Sequence, residues 1–425
     1  MKIRLCLPAM LLIACQCLAG NPSADTLKLS IRESENLFLQ NNLPILAAKY
    51  NVDANKALVR QAKLWDNPVL STDQNIYDGN GGFLKHDKTN GQVYVQLMQV
   101  VRTAGKRNKL AQLAEDNTAI STAQFDDLVR TLRYTLRSDL YEINHQLQIK
   151  ELYSTEIDEL TTLVAGMDEE LIMGNVSVKD NLRIKALLFS LQNDLISADA
   201  QLIPLEEEVR LLLGNKDSSF IRPVLSYSLA DLVNTRMPPA DELLQIAYSS
   251  RPDLRVASQQ LNYANHNLYY QKALAKPDIS IGTEYDQHSS YAPNYVGLAI
   301  SLPLNIFNKN QGNIASAQFN IKQQEVLLQA QTSKVASDIF SALGKVKLYR
   351  QVINTKQFEF TRQYDALFRN MLSSYQHRQV SLLEFIDFAD AYKATKLQVL
   401  QQQSEFIKAI ADLNYEAGKD IISIK

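Results

Sequence analysis

Residues His377–Tyr392 read HRQVSLLEFIDFADAY, and residues Met173–Ala186 read MGNVSVKDNLRIKA. The two stretches share a Val-Ser pair, at positions 176–177 and 380–381, a separation of 204 positions. In both, an acidic residue follows the serine by three positions. A Ser-x-x-Asp/Glu sequence is a capping box, in which the serine side chain satisfies free backbone N–H groups at the start of a helix. The repetition therefore predicts that the chain turns into a helix in the same way twice.

Long proline-free segments precede both turns. No proline occurs from Val69 to Ile203 or from Leu304 onward, and an interior proline costs a helix about 3 kcal/mol. Apolar residues recur there at three-, four- and seven-residue steps, which is typical of a coiled-coil seam. One seam contains Phe125, Val129, Leu132, Leu136, Leu140, Ile143 and Leu147, and the other contains Ile321, Leu328, Val335, Ala342 and Tyr349 with Ile339, Val346 and Ile353. A helix from about Gly105 to Ile172 would reach about 100 Å, so the two turns are predicted to be the tips of long helical hairpins.

The whole chain is predicted to be a tandem repeat. Pro44 aligns with Pro252 and Pro68 with Pro277, and Pro44 and Pro252 occupy positions where a first helical turn tolerates proline. Each half is expected to contain a helix, a β-hairpin and a long helical hairpin. The predicted segments are a first repeat at 27–214 (β-hairpin 68–101, tip 173–180), a linker at 215–239, a second repeat at 240–418 (β-hairpin 277–304, tip 374–384) and a tail at 419–425.

The predicted strands alternate between apolar and polar residues. Residues 279–286 and 295–302 each place apolar side chains on one face and mainly small or polar side chains on the other. Such alternation fits a half-buried sheet in a soluble domain, and it also fits a transmembrane barrel strand. Four strands are too few to close a barrel, and open sheet edges cannot face lipid. If the strands span a membrane, several chains must share one barrel.

The N-terminus has the layout of a secretory signal. Basic residues precede an apolar stretch from Leu5 to Ala14, followed by small residues. Two cleavage sites compete. The sequence LIAC resembles a lipobox, which predicts a signal segment of 1–14 and a lipidated Cys15, whereas ordinary cleavage after Ala19 predicts a segment of 1–19. All three cysteines lie in this segment, so the remainder has no disulfide framework.

Composition excludes several function classes. The 44 basic and 46 acidic side chains nearly cancel, so a nucleic-acid partner is not expected. The five histidines lack ligand spacing, no cofactor motif is present, and no cluster of nucleophile and base suggests an enzyme. Beyond the signal segment, no stretch of about 20 apolar residues predicts a membrane-spanning helix.

The chain resembles the outer-membrane efflux proteins of the TolC type, especially the heavy-metal and drug efflux branch. The resemblance covers nearly the whole mature chain, and its most specific part is PLNIFNKNQGNIASAQ, residues Pro303–Gln318. The paired proline positions and the Val-Ser turns support it. Val100 departs from the pattern, because the family commonly has a proline after that strand. The residues Gly105, Lys106 and Arg107 keep the familiar junction.

The resemblance implies a mostly α-helical protein with a transmembrane β part in the outer membrane of a Gram-negative bacterium. It implies a homotrimer, in which four strands from each chain form a 12-stranded β-barrel in outer-membrane lipid, and an α-helical barrel crosses the periplasm. The chain would be a passive conduit that works with a periplasmic adaptor and an inner-membrane pump and exports metal ions or small molecules. The residues expected to contact the adaptor are Gly174, Val176, Ser177, Val380 and Ser381.

Three acidic residues follow the second turn on one side of the helix. In a trimer, Glu384, Asp387 and Asp390 would each form a ring of three charges, which can select cations or gate an aperture. A solvated helix face is the alternative explanation. For the whole chain, the main alternative is a periplasmic coiled-coil adaptor lipoprotein, which would normally contain one helical hairpin flanked by β-rich domains.

Overall fold

The computed structural model describes residues 26–79, 82–84, 86–87, 90–215, 219–353 and 355–424. The helices are α1 Ile31–Asn41, α2 Leu43–Ala62, α3 Lys106–Ile172, α4 Val178–Leu213, α5 Leu229–Asn234, α6 Ala240–Ser250, α7 Pro252–Leu274, α8 Gln311–Val352, α9 Thr355–Gln376 and α10 Leu382–Ala417. The strands are β1 Thr26–Ser30, β2 Val69–Gln74, β3 Tyr77–Asp78, β4 Gly82–Phe83, β5 Val93–Val101, β6 Phe220–Val224, β7 Ile279–His288 and β8 Pro293–Ser301. Most of the described chain is therefore helical, as the sequence predicts.

The two halves of the chain share one four-stranded antiparallel sheet. Its strand order is β2-β5-β7-β8, so β5 of the first half pairs with β7 of the second, and β2 and β8 form the edges. Leu70, Leu97, Thr283 and Leu298 stand in one row across the sheet. On the other face, the Glu284 carboxylate accepts hydrogen bonds from the Tyr94 hydroxyl at 2.9 Å and the Gln96 amide at 3.2 Å. One face is thus mainly apolar and the other polar, because side chains alternate along a strand.

Helices α2 and α7 begin where their prolines permit. Pro44 and Pro252 both lie in the first turn, where the missing proline N–H leaves no hydrogen bond unmade. This confirms the prediction made for the two prolines. The side chain of Asn42 caps α2, because its Oδ1 accepts from the Ile45 N–H at 3.1 Å, and its amide donates to the Leu212 carbonyl at 3.0 Å.

The main core surrounds the middle of α3. Leu136, Leu140 and Ile143 are fully buried there, and they belong to the same cluster as Val335 of α8 and Phe406 of α10. The parallel pair β1–β6, whose second strand lies in the predicted linker, also packs on this core through Leu29 and Ile221, which are buried. The middle parts of the predicted seams of α3 and α8 are therefore buried against neighbouring helices, and the other seam residues are half-buried.

A buried arginine joins α7, α8 and α10. The Arg251 side chain is 2% exposed, and its guanidinium contacts the carboxylates of Asp253 at 2.6 Å, Glu416 at 2.7 Å and Asp338 at 3.2 Å. These contacts hold the pKa of Asp253 below its ordinary value despite burial, which acts in the opposite direction and is the larger single influence. A buried charge that keeps such partners is stable in place.

One helix contains an interior proline, and another ends inside a predicted seam. Pro204 lies inside α4. Pro204 and Ala200 are both on the exposed side of the helix, where the carbonyl that loses its N–H partner can be solvated. In the second half, the predicted seam through Tyr349 and Ile353 is interrupted, because α8 ends at Val352. The fully buried Ile353 adopts an extended backbone there, so tertiary packing overrides the helical pattern.

Among the described helices, none combines the length and the apolar character needed to cross a membrane.

Candidate functional site

The two helical hairpins end in turns with the same backbone geometry. After α3, Gly174 has a φ of 77°, and the Asn175 N–H donates to the Glu170 carbonyl at 2.8 Å. After α9, Arg378 has a φ of 59°, and the Gln379 N–H donates to the Ser374 carbonyl at 2.8 Å. Both are left-handed helix ends, which normally favour glycine. The left-handed conformation of Arg378 was not predicted, because arginine seldom adopts it. The internal repeat does indicate it, since Arg378 lies 204 positions after Gly174.

The capping serines hold the starts of the returning helices. The Ser381 hydroxyl accepts from the Glu384 N–H at 3.3 Å, and a Glu384 carboxylate oxygen accepts from the Ser381 N–H at 2.8 Å, so this capping box is complete. At the first turn, the Ser177 hydroxyl accepts from the Asp180 N–H at 3.1 Å, and the box stops there. Aspartate is one methylene shorter than glutamate, which explains why only Glu384 reaches back. The predicted helix starts are confirmed, and the predicted full box is correct only for Ser381.

Side chains from both hairpins meet behind the turns. Tyr375 stacks on Phe385 with ring centroids 5.2 Å apart, and both join a buried cluster that includes Met167 of α3. An ion pair of 2.8 Å links Arg378 to Glu170, one residue from each hairpin. The two turns therefore form a single tip, a contact that the sequence analysis did not predict.

The tip leaves its predicted contact residues accessible to different degrees. Gly174, Ser177 and Ser381 are exposed, whereas Val176 and Val380 are half-buried. Val176 packs against the cluster behind the tip. The tip thus offers backbone and hydroxyl groups at its surface, with the valines beneath them.

The three acidic residues of α10 are exposed. Glu384, Asp387 and Asp390 lie away from the buried side of the helix, where Phe385 and Ala389 pack. Hydrogen bonds from the Ser381 N–H and hydroxyl lower the pKa of Glu384. The Glu384 carboxylate therefore forms part of the helix cap and is also exposed to solvent.

No cluster of three or more His, Cys, Asp or Glu side chains able to hold a metal ion occurs in the described ranges. Cys15 and the two candidate signal segments, 1–14 and 1–19, lie outside the described residues.

Comparison with known proteins gives relatives of one kind. No protein-family model matches the sequence. The cobalt-zinc-cadmium resistance protein CzcC of Cupriavidus metallidurans (strain CH34) is 22% identical over 293 residues, which is 68% of this chain and 66% of the relative. The alignment thus covers slightly less than two thirds of the length of CzcC.

Solved structures share the fold along nearly the whole chain. The channel CusC superposes with a TM-score of 0.73 at 18% identity, over 92% of both chains. The outer-membrane channel CmeC of Campylobacter jejuni superposes with a TM-score of 0.70 at 13% identity, over 92% of this chain and 87% of CmeC. The chain therefore has the fold of these channels and is similar in sequence to CzcC.

Proposed function

We propose that the chain is the outer-membrane channel of a tripartite efflux pump, a passive homotrimeric conduit from the periplasm to the outside. The observation that carries this proposal is the open four-stranded sheet, apolar on one face and polar on the other, whose strands continue into helices too long for a compact domain. Such a sheet is suited to facing lipid on one side and water on the other once its edges are paired.

The edges of the sheet call for further copies of the chain. Within the described part of one chain, β2 and β8 each pair on one side only. Apolar side chains of β8 on the outer face are largely exposed, for example Val296, Leu298 and Ile300. Pairing β8 of one copy with β2 of the next satisfies both edges. Three copies would supply twelve strands, the number that the family resemblance implies.

Two exposed apolar stripes on the helices support the same closure. The α4 stripe consists of Leu182, Phe189, Ile196 and Ile203, which are 60–66% exposed and follow at seven-residue steps. It faces away from the buried side of α4, where Ile184 and Leu191 pack. The α8–α9 stripe consists of Phe319, Val326, Phe340, Phe360 and Leu367, which are 43–68% exposed. Heptad stripes of this kind favour a partner helix over solvent.

The internal repeat indicates which stripes meet. A shift of 204 positions carries Phe189 to Lys393 and Ile203 to Ile407, so the α4 stripe corresponds to a line of residues on α10. In α10, Ile407 is buried in the core shared with α3. Since α8 and α9 together occupy the place of α3 in the second half, α4 is proposed to pack on α8–α9 of the neighbouring copy as α10 packs on α3.

The cargo is proposed to be metal ions or small molecules. The relative CzcC is named as a cobalt-zinc-cadmium resistance protein, which favours metal ions as the cargo. The polar face of the sheet, with Glu284 and Tyr94, would line a wet lumen. The chain is proposed to catalyse no reaction. A passive conduit supplies only a path for the solute, and the energy for transport comes from the partner proteins.

The tip is proposed to contact the periplasmic adaptor, which joins the channel to an inner-membrane pump. Gly174, Val176, Ser177, Val380 and Ser381 would form this contact. Glu384, Asp387 and Asp390 would form charged rings near the aperture. The double change Asp387→Ala and Asp390→Ala is expected to raise single-channel conductance or weaken block by divalent cations. Unchanged conductance and block would leave these residues as a solvated helix face.

The processing and segment boundaries are part of the same proposal. The signal segment is removed, either before a lipidated Cys15 or after Ala19. The mature chain then comprises the repeats at 27–214 and 240–418 with the linker at 215–239 and the tail at 419–425. The intact mass of the purified mature protein distinguishes the two cleavage sites.

The decisive experiment measures the mass of the protein extracted by detergent from outer-membrane fractions. A helix-rich trimer that dissociates on heating, and that forms channels in a planar lipid bilayer, is expected. A monomer in the soluble periplasmic fraction would refute the conduit and favour the adaptor.

A further inference from the structure

A carboxylate occupies the apolar seam of α3 near the tip. The buried residues of this part of the helix are Tyr153, Glu156, Leu160, Leu163 and Met167, at alternating three- and four-residue steps. Glu156 therefore holds a seam position that the neighbouring turns fill with large apolar side chains. It is 4% exposed, and its Oε1 atom is buried without a hydrogen-bond partner among the described residues.

The groups that face Glu156 do not neutralise it. Asp194 of α4 and Lys393 of α10 pair with each other at 3.1 Å, so the cation that attracts Glu156 is shared with another carboxylate. Other charged groups close to Glu156 are Glu159 on the same helix and Asp390 on α10. On α9, Arg369 lies near Glu159, and Asp365 pairs with Lys396 at 2.8 Å. Negative groups thus outnumber uncommitted positive groups around Glu156.

This environment favours the protonated carboxyl. Burial is the main cause that raises the pKa of Glu156, to about 7, and the attraction of Lys393 opposes it. A carboxylate buried without partners is costly, whereas the neutral acid fits an apolar seam. The packed arrangement of α3 therefore binds a proton that a loosened, hydrated arrangement releases.

We propose that Glu156 is a protonation-linked latch between the α3–α4 hairpin and α10, which packs tightly while the carboxyl carries its proton and loosens when the proton leaves. The structure provides the space for this change. A cavity of about 450 Å³ lies between α3 and the α9–α10 pair, and it is lined by Glu156, Phe368 and Tyr392. Water entering this cavity reaches the carboxylate without unfolding the hairpin.

The direction of the effect follows from the two protonation states. Because the packed state has the higher pKa, its packing is strongest below the ordinary carboxyl pKa of 4.5 and weakens as the pH rises toward about 7. Above that pH, both states are ionised and the effect levels off. One proton changes the equilibrium about tenfold per pH unit in this window.

Hydrogen exchange of the full-length protein in detergent tests the latch. Exchange of the peptides that cover residues 150–163 would be measured between pH 4.5 and 8 and corrected for intrinsic rates. The ratio of the opening constants of the native protein and Glu156→Gln is expected to rise about tenfold per pH unit up to about pH 7 and then stay constant. Asp158→Asn, an exposed change on the same helix outside the lining of the cavity, is the matched control and should keep the native profile.

Glu156→Leu provides a second variant, because leucine restores an apolar seam residue. The Glu156→Leu protein is expected to exchange slowly, and its opening constant should lack the rise with pH that the native protein shows. A constant native-to-Gln ratio, or a native profile in Glu156→Leu, would overturn the proposal. Any consequence for the width of a conduit rests on the proposed function, but this exchange experiment requires no conduction, so the two proposals fail separately.

Discussion

Truncating Phe189 is expected to weaken the proposed trimer strongly. The side chain lies in the α4 stripe and is 66% exposed in the single chain. A phenylalanine buries about 200 Å² when fully covered, so covering this exposed part removes about 130 Å² from water. At about 25 cal/mol per Å², that contributes about 3 kcal/mol at each contact between copies, or about 9 kcal/mol in a ring of three. Phe189→Ala removes most of this contribution.

The assay is the dissociation of the detergent-solubilised trimer on dilution, followed by sedimentation. The midpoint concentration of a trimer varies as the square root of its dissociation constant, so the loss raises the midpoint about 1,000-fold. Gln201→Ala is the matched control. Gln201 is also exposed on α4 but lies nearly half a turn away from the stripe. Its midpoint should remain native.

A native midpoint for Phe189→Ala, with the trimer intact, would refute the assignment of the α4 stripe to the contact between copies. Equal weakening by Gln201→Ala would refute it as well, because the whole surface of α4 would then be involved instead of one line of side chains. Far-ultraviolet circular dichroism establishes that both variants keep their helices.

Three further predictions concern the helix ends and the buried arginine. Ser381→Ala is expected to destabilise the first turn of α10 by about 1 kcal/mol. Ser177→Ala is expected to destabilise the first turn of α4 by less, because its capping box is incomplete. Hydrogen exchange of the backbone amides in the two first turns measures both losses. The pKa of Glu384 is lowered by its hydrogen bonds with Ser381, so the cap is strongest above the ordinary pKa of 4.5 and weakens as the pH falls through the lowered value. Glu384→Gln should remove this dependence in the same exchange experiment. Arg251→Ala leaves Asp253, Asp338 and Glu416 without their shared cation and is expected to cost about 3–5 kcal/mol, measured as a lowered thermal midpoint. Lys334→Ala, which removes a mostly exposed partner of Asp338, should cost less than about 1 kcal/mol.

Local signals predicted the elements with strong patterns. Alternation gave the strands, because a half-covered sheet needs apolar residues on one face only. The serines at 177 and 381 marked helix starts, because the first turn leaves N–H groups that a hydroxyl can satisfy. Pro44 and Pro252 marked helix starts for a similar reason. Each of these signals depends on a few neighbouring residues, so these strands and helix starts can be predicted from the local sequence alone.

Features that depend on distant partners could not be predicted in this way. Arg251 reads as a surface residue until α7, α8 and α10 bring three carboxylates around it. Pro204 reads as a helix end, and only its exposed setting shows why α4 continues. The end of α8 depends on the burial of Ile353 in the core, which no local pattern indicates. The Arg378–Glu170 ion pair joins two hairpins that are far apart in sequence.

The internal repeat places Glu156 in a wider argument. A shift of 204 positions carries Glu156 to Phe360 and Leu163 to Leu367, both members of the α8–α9 stripe. The proposed ring would therefore contain two kinds of corresponding seam, one within each chain and one between copies. The seam within the chain holds Glu156, Asp194 and Lys393, whereas the proposed seam between copies offers Phe189 and Phe360.

Charged groups gain from hydration when a seam parts, whereas exposing aromatic rings costs free energy. The seam within each chain is thus expected to separate first, at the end of the helices near the tip. Spin labels on α3 and α10 of one chain should move apart as the pH rises from 4.5 to 7, while labels on α4 and on the α9 helix of the neighbouring copy keep their distance. The reverse order would show that the aromatic seam is the weaker one and that the correspondence between the two halves does not extend to their packing.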